Sequence, residues 1–135
     1  MAAELLVGPV CPGLTAEELD PGALKRLASE LESEELARSI AQTYLRMLEA
    51  RLTRAATALD RRDEVAAMDV LLSLRVSSAT VGLARLESAV RCVIDAVRRG
   101  EHDLARERGA SMLALATGAR RALREHLDGA VESPV

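Results

Sequence analysis

The stretch that decides the fold is Leu71-Leu72-Ser73-Leu74-Arg75-Val76-Ser77-Ser78-Ala79-Thr80-Val81-Gly82, because its apolar residues point to two sides of one helix. A helix advances about 100° per residue, so one row of aligned residues, the Leu74 row, comprises Ala67, Leu71, Leu74, Ser78 and Val81. A second row, the Leu72 row, points about 160° away and comprises Met68, Leu72, Val76 and Ala79. One row is expected to face the core, and the other to face solvent or a partner.

Composition predicts one soluble domain of closely packed helices. The 135 residues are 49% apolar and 29% charged, which is typical of a globular protein with a single core. The net charge of −3 argues against a nucleic-acid partner held by electrostatic attraction. The only aromatic side chain is Tyr44, so the chain also lacks the aromatic platforms on which bases stack.

The cysteines and the apolar runs predict a cytoplasmic location. Cys11 and Cys92 have no CxxC or metal-ligand spacing, so we expect a reducing compartment, no metal and no cofactor. Cys92 is expected to be an inert, partly exposed thiol on the outer edge of its helix. No apolar run approaches the roughly 18 residues that cross a bilayer, and the amino terminus lacks the basic residues of a secretory signal. We therefore expect no membrane partner.

The order of start and stop signals predicts an N-terminal tail over 1–14, a helical bundle over 15–129 and a C-terminal tail over 130–135. Thr15 begins a capping box with Glu18, and Asp20-Pro21 begins a short helix. Four longer helices follow, after the N-caps Ser33 and Asp63 and the breaks at Gly82 and Gly100, over 34–60, 64–80, 83–99 and 102–127. The first long helix has the core stripe Ala37, Ile40, Tyr44, Leu48, Leu52, Ala55 and Leu59. The predicted fold is an all-α, antiparallel four-helix bundle with an additional short N-terminal helix.

Residues 73–82 carry a resemblance to a known family. Leu74-Arg75-Val76-Ser77-Ser78-Ala79 followed by Gly82 resembles the signature of histidine-containing phosphotransfer (HPt) domains, roughly His-x-Leu-Lys-Gly-Ser-Ser-Ala before a glycine break. Leu19-Asp20-Pro21 is similar to the usual start of these domains, and Arg99-Gly100-Glu101 to the hinge between their last two helices. The resemblance covers about residues 19–127, and it implies an HPt-like bundle of two-component phosphorelay signalling.

The chain departs from the family pattern where the family does its chemistry. Leu72 stands at the position of the phosphoacceptor histidine, and a leucine has no nucleophile to hold a phosphoryl group. Val76 replaces the glycine beside it, whereas Arg75 keeps a positive charge. The resemblance therefore implies a non-enzymatic pseudo-phosphotransfer protein. It would dock a response-regulator receiver domain or a histidine kinase domain through Met68, Leu72, Arg75, Val76 and Ala79.

Three other interpretations are open from the sequence. The chain could be a phosphotransferase with a non-standard acceptor, and His102 and His126 are its two histidines. It could be a structural homodimer joined through the Leu72 row. The Leu72 row could also be covered within the chain by residues 1–14. Ser77 and Ser78 lack a recognisable base, so close packing or hydrogen bonding within the helix is the simplest interpretation of both.

Overall fold

The computed structural model describes residues 16–132, and this part of the chain is all-helical. Its five helices are α1 (Ala23–Leu31), α2 (Glu34–Asp60), α3 (Glu64–Val81), α4 (Ala84–Arg98) and α5 (His102–Glu132). The all-α prediction is confirmed. The predicted 1–14 tail, Thr15 and residues 133–135 lie outside the described residues.

Local capping chemistry fixes most helix starts and stops where the sequence predicts them. The Ser33 hydroxyl accepts a 3.0 Å hydrogen bond from the Leu36 amide, and the Asp63 carboxylate accepts one of 3.1 Å from the Ala66 amide. These bonds satisfy amides that have no partner in the first turn of a helix. Gly82 ends α3 with φ +88°, a left-handed conformation that glycine adopts without steric cost.

Two predicted helix ends are wrong. Helix α1 begins at Ala23 instead of Pro21, because the Asp20 side chain accepts a 3.0 Å bond from Gly22 in a turn before the helix. Helix α5 does not stop before Gly129 but continues to Glu132. Gly129 does not have the positive φ of a glycine that caps the carboxyl end of a helix. It therefore remains within α5, although glycine has a low helix propensity.

The four long helices contact one another in a closed order. Helix α2 packs on α3, α3 on α4, α4 on α5, and α5 on α2, while α1 lies against α2 and α3. The core between them is made mainly of aliphatic side chains. Its largest fully buried members include Leu48, Leu71, Leu74, Leu83, Leu86, Val90, Val93, Met112 and Leu123. Burial of this apolar surface is the main stabilising contribution to the fold.

Glycine lets α5 approach its neighbours closely. A Cβ atom on Gly109 would lie 2.8 Å from the Leu59 side chain, so α2 and α5 pack closely at this glycine. At Gly118 the space is taken instead by the carboxylate of Glu18, which precedes α1. At both positions a Cβ atom would meet a neighbouring side chain, which explains why glycine is present in α5 despite its low helix propensity.

Residues 16–20 lie over the turn between α3 and α4. The Asp20 amide donates a 2.7 Å hydrogen bond to the Gly82 carbonyl, and the Arg85 guanidinium donates one of 3.0 Å to the Ala16 carbonyl. The segment that enters α1 is therefore anchored to the start of α4. Within residues 16–132, none of the helices is both long and apolar enough to span a membrane.

Candidate functional site

Helix α3 presents one buried row and one exposed row, as its sequence predicts. The Leu74 row is fully buried. On the other side, Leu72 is 37% exposed and Val76 is 65% exposed. Arg75 and Ala79 are also exposed, whereas Met68 is half-buried and packs on the core. The residues predicted as a partner site thus form one face of α3, with Leu72 and Val76 as its apolar centre.

The exposed face extends further toward the start of α3 than the sequence interpretation placed it. Val65 is 83% exposed and lies seven residues before Leu72, so both side chains point in the same direction. The sequence signal for Val65 is the helical spacing of the Leu72 row, continued two turns toward the start of α3. Val65 adds an exposed apolar side chain to this face of α3, and the exposed Asp69 lies between it and Leu72.

Beside Val76, a groove of about 360 Å³ runs between α2 and α3. Its lining combines apolar side chains with hydroxyl-bearing ones. The lining residues are Ser39, Ile40, Thr43, Tyr44, Met47, Arg51, Val76, Ser77, Thr80 and Val81. The face of α3 is therefore continuous with a concave surface that a protruding side chain could enter.

Helix α2 carries a stripe of exposed apolar residues, of which Ile40 and Met47 line this groove. Leu36, Ile40 and Met47 are all exposed and follow one another at helical spacing. The prediction that Ile40 belongs to the core is wrong, because α2 turns Ala41 inward at this level and leaves Ile40 over the groove. We call the exposed residues of both helices the α2–α3 apolar surface: Leu36, Ile40, Met47, Val65, Leu72 and Val76.

A buried hydrogen bond joins the two helices beneath the groove. The hydroxyl groups of Tyr44 and Ser78 lie 2.7 Å apart. Burial raises the pKa of Tyr44 to about 12, against the opposing effects of the Ser78 hydrogen bond and the Arg51 charge. Ser77 donates a 2.8 Å bond to the Ser73 carbonyl in its own helix. The predicted hydrogen bond within the helix is confirmed for Ser77, whereas the Ser78 hydroxyl bonds to Tyr44 on α2.

Arginines lie on both sides of the exposed face of α3. On the α2 side, the Arg51 guanidinium is 3.4 Å from the Ser77 hydroxyl. On the α4 side, Arg75 lies 3.8 Å from the Glu87 carboxylate, which is closer to Arg91 at 3.1 Å. Two arginines, Arg75 and Arg91, thus share the Glu87 carboxylate at this edge of the surface.

The nucleophiles considered as substitutes for a histidine at position 72 lie elsewhere. His102 begins α5, and its imidazole is 3.5 Å from the Glu64 carboxylate at the start of α3. Glu64 precedes Leu72 by eight residues, or roughly 12 Å along the helix axis. His126 is half-buried on α5. Among residues 16–132, no group of three or more His, Cys, Asp or Glu side chains has the arrangement of a metal site.

Cys92 is not the partly exposed thiol that the sequence predicted. It is 7% exposed and disulfide-bonded. The spacing of apolar residues places it on the outer edge of α4, but α4 is covered on this side too. Because disulfides are uncommon in reducing compartments, this bond removes the cysteine-based reason for expecting a cytoplasmic location.

Comparisons of the chain with protein-family models, with curated protein sequences and with solved structures find no match.

Proposed function

We propose that this chain is an HPt-like docking protein that binds a receiver domain through the α2–α3 apolar surface without carrying a phosphoryl group. The observation that carries the proposal is the exposure of Leu72 and Val76, at 37% and 65%, on a helix whose other apolar row is fully buried. Leu72 stands where the resemblance places the phosphoacceptor histidine. The side chain at that position is accessible to a partner but has no reactive atom.

The helix contacts support the architectural part of the proposal. Helices α2, α3, α4 and α5 contact in a closed order, and short connections join each to the next. That order fits an antiparallel four-helix bundle, with α1 as the additional short helix against α2 and α3. In such a bundle the outward face of α3 is free for docking.

The chemistry of the surface supports a partner with an apolar patch near carboxylates. Leu72 and Val76 would supply the desolvated centre of the interface, and Arg51 and Arg75 its charged edges. The resemblance implies such a partner, since receiver domains carry an acidic phosphorylation pocket. Arg75 can exchange partners at small cost, because its 3.8 Å pair with Glu87 is solvent-exposed on the arginine side.

Two features of α3 favour docking over phosphotransfer. Leu72 offers no lone pair to attack a phospho-aspartate, and Val76 fills the space that the family leaves open with glycine. A receiver bound to this chain would therefore keep its phosphoryl group, because Leu72 cannot accept it. The chain would act as a competitor, adaptor or sequestering factor. A cytoplasmic location is part of the proposal on the resemblance alone, since the Cys92 disulfide gives no support for it.

Binding to purified receiver domains tests the proposal, measured with and without beryllofluoride as the acyl-phosphate mimic. Leu72→Asp should weaken binding at least about tenfold, because it places a charge at the desolvated centre. Leu113→Asp is the matched control, since Leu113 is 39% exposed on α5 and should leave binding unchanged. The proposal fails if no receiver binds in either state, or if both variants bind as the parent does.

The same samples separate the other interpretations. A dimer joined through α3 would be seen as a doubled mass in solution that Leu72→Asp, but not Leu113→Asp, reduces to the monomer mass. Phosphosite mapping after incubation with a phosphorylated receiver would give label on His102 or His126 if a non-standard acceptor operates. Binding to a histidine kinase domain with no binding to receivers would refute the proposal and support the alternative partner.

A further inference from the structure

Of the described residues that line the groove between α2 and α3, Arg51 alone carries a charge. Arg51 is half-buried, and its guanidinium contacts neutral atoms, the Ser77 hydroxyl at 3.4 Å and the Met47 sulfur at 3.7 Å. In the part of the chain that the structure describes, this guanidinium has no carboxylate partner. Arg75, on the other side of α3, is paired with Glu87 instead. The described walls of the groove therefore hold a positive charge that no acidic side chain neutralises.

The Arg51 charge reaches a buried group in the wall of the groove. Burial raises the pKa of Tyr44, and the Arg51 charge opposes that rise. Tyr44 also lines the groove, so the guanidinium charge is only partly screened by water on this side. An anion beside Arg51 would therefore be held more strongly than on an open, fully hydrated surface.

Arg51 lies at one end of the groove. The α2 residues that line the groove begin at Ser39 and end at Arg51, a separation of roughly 18 Å along the helix axis. Between these ends, Ile40 and Met47 of α2 and Val76 of α3 supply apolar contact. A long groove with a charge at one end and apolar side chains along its length matches a linear molecule with an anionic head and an apolar tail.

The hydroxyl groups in the groove are largely occupied by hydrogen bonds within the protein. Those of Ser77 and Thr80 donate to carbonyls in the preceding turn of α3, at 2.8 and 2.9 Å. The Tyr44 hydroxyl is paired with that of Ser78. These bonds leave few partners for polar groups along a ligand, so an alkyl chain fits the middle of the groove better than a sugar or a peptide backbone.

We propose that the α2–α3 groove binds a fatty acid, with its carboxylate on Arg51 and its alkyl chain beside Ile40, Met47 and Val76. A planar guanidinium donates two parallel hydrogen bonds to a carboxylate, and one carboxylate neutralises its single charge. The groove volume of about 360 Å³ is within the range of small-molecule sites. The inference does not depend on the proposed function. A bound fatty acid would compete with a docked receiver, because the three apolar residues belong to both surfaces.

Calorimetric titration of the full chain with sodium dodecanoate, below the concentration at which it forms micelles, tests the binding. We expect one molecule per chain, and about threefold tighter binding for each methylene added between octanoate and dodecanoate. Dodecyltrimethylammonium has an equally long chain and the opposite charge, and it should bind at least about tenfold more weakly. An absence of saturable binding, or equal binding of the two amphiphiles, would overturn the inference.

Substitution of Arg51 tests the position of the carboxylate. Arg51→Gln should weaken dodecanoate binding at least about tenfold, whereas Arg51→Lys keeps the charge and should retain most of the affinity. Arg54→Gln is the matched control, because Arg54 is exposed on the same helix and does not line the groove. Thermal unfolding checks that each variant is folded. Equal losses in the two glutamine variants would show attraction by net charge alone and would refute the assigned site.

Tyr44 reports whether the ligand is in the groove. It is the only aromatic residue and lines the groove, so saturation with dodecanoate should change the tyrosine fluorescence of the chain. Binding without any change in fluorescence would place the ligand elsewhere and contradict the inference.

Receiver binding separates this inference from the proposed function. A receiver that binds the parent chain should bind more weakly when dodecanoate is saturating. Dodecanoate binding without receiver binding would support the fatty-acid site and refute the proposed function. Receiver binding without binding of any carboxylate would show that the occupant of the groove is a protein, and it would overturn the fatty-acid site alone.

Discussion

The hydroxyl of Tyr44 lies 2.7 Å from the hydroxyl of Ser78, and both side chains are buried between α2 and α3. This hydrogen bond lies beside the groove next to Val76, which Tyr44 lines. It fixes the separation of the two helices whose exposed residues form the α2–α3 apolar surface. Its removal should therefore affect both the stability of the fold and the shape of the groove.

Ser78→Ala is expected to destabilise the fold more than Tyr44→Phe. Without Ser78, the phenol hydroxyl is left buried with no partner, which costs about 1–3 kcal/mol of unfolding free energy. Without the phenol hydroxyl, Ser78 can turn to a carbonyl in the preceding turn of α3, so the cost should be nearer 1 kcal/mol. Urea unfolding of both variants gives the two free energies.

The double variant Tyr44→Phe/Ser78→Ala is the control for this pair. Because it removes both polar groups, it should cost less than the sum of the single changes. Strictly additive costs would mean that the two hydroxyls do not interact in solution.

Stability should fall at high pH through Tyr44. Burial raises its pKa to about 12 in the folded protein, above the value of about 10 in an unfolded chain. Between these values the unfolded state releases the phenolic proton and the folded state keeps it, so unfolding becomes more favourable as pH rises. The loss should approach about 1.4 kcal/mol per pH unit in this window. Since Tyr44 is the only aromatic residue, tyrosinate absorbance reports its titration directly.

Tyr44→Phe is the comparison for the pH series. It should lack the Tyr44 part of the decline between about pH 10 and 12. A folded protein whose tyrosinate absorbance rises with a midpoint near 10 would show that the phenol is not held in its buried environment.

Gly82→Ala should be the most damaging of the glycine substitutions in the turns and ends of the helices. Gly82 has φ +88°, and a Cβ atom there would lie 2.6 Å from the Asp20 carbonyl oxygen and 2.7 Å from the Ala23 Cβ. The left-handed conformation costs alanine about 1–2 kcal/mol, and the contact with backbone adds to it. Thermal unfolding should show a loss of at least about 2 kcal/mol.

Two other glycines separate the contributions of conformation and contact. Gly100 has φ +74°, and a Cβ atom there would have no neighbour within 4 Å, so Gly100→Ala should cost only the conformational part. Gly129 lies in α5 with open space around it, and Gly129→Ala should be neutral or stabilising by up to about 1 kcal/mol. Equal losses at Gly82 and Gly100 would mean that the Asp20 contact has no role.

The helix ends and the buried row of α3 could be predicted because each depends on neighbours in sequence. Ser33 and Asp63 cap their own first turns, and Leu74 is buried with residues three or four positions away. Helical periodicity gives such rows without any knowledge of the partner helix. The exposed rim of the groove at Met47 has the same spacing signal, but its position beside Val76 depends on how α2 and α3 pack.

Ile40 and Cys92 could not be placed by periodicity, since their surroundings come from distant parts of the chain. Ile40 and Ala41 both lie near the edge of the stripe on α2, and packing against α3 decides which one is buried. Cys92 is on the outer edge of α4 by helical spacing, yet it is covered and disulfide-bonded. A helix pattern reports which residues share a side, and long-range contacts decide what lies against that side.

Restoring the residues of the resembled family should create a phosphoacceptor. In the double variant Leu72→His/Val76→Gly, an imidazole replaces the exposed leucine one turn from Arg75, and the adjacent side chain no longer obstructs it. The imidazole nitrogen would attack the phosphorus of a receiver's aspartyl phosphate, the bond from phosphorus to the aspartate oxygen would break, and the carboxylate would leave. Radiolabelled phosphate should move from the receiver to this variant and not to the parent chain.

Leu113→His controls for the presence of an exposed histidine, because Leu113 and Leu72 are exposed to nearly the same extent, at 39% and 37%. It should remain unlabelled, since α5 at that position is not part of the proposed docking surface. The glycine in the double variant costs about 1 kcal/mol of helix stability, so folding is checked by thermal unfolding before transfer is measured. A folded double variant that binds a phosphorylated receiver but takes no label would show that residue 72 does not face the phosphorylation pocket. That result would leave receiver binding intact and refute the docking geometry inferred from the resemblance.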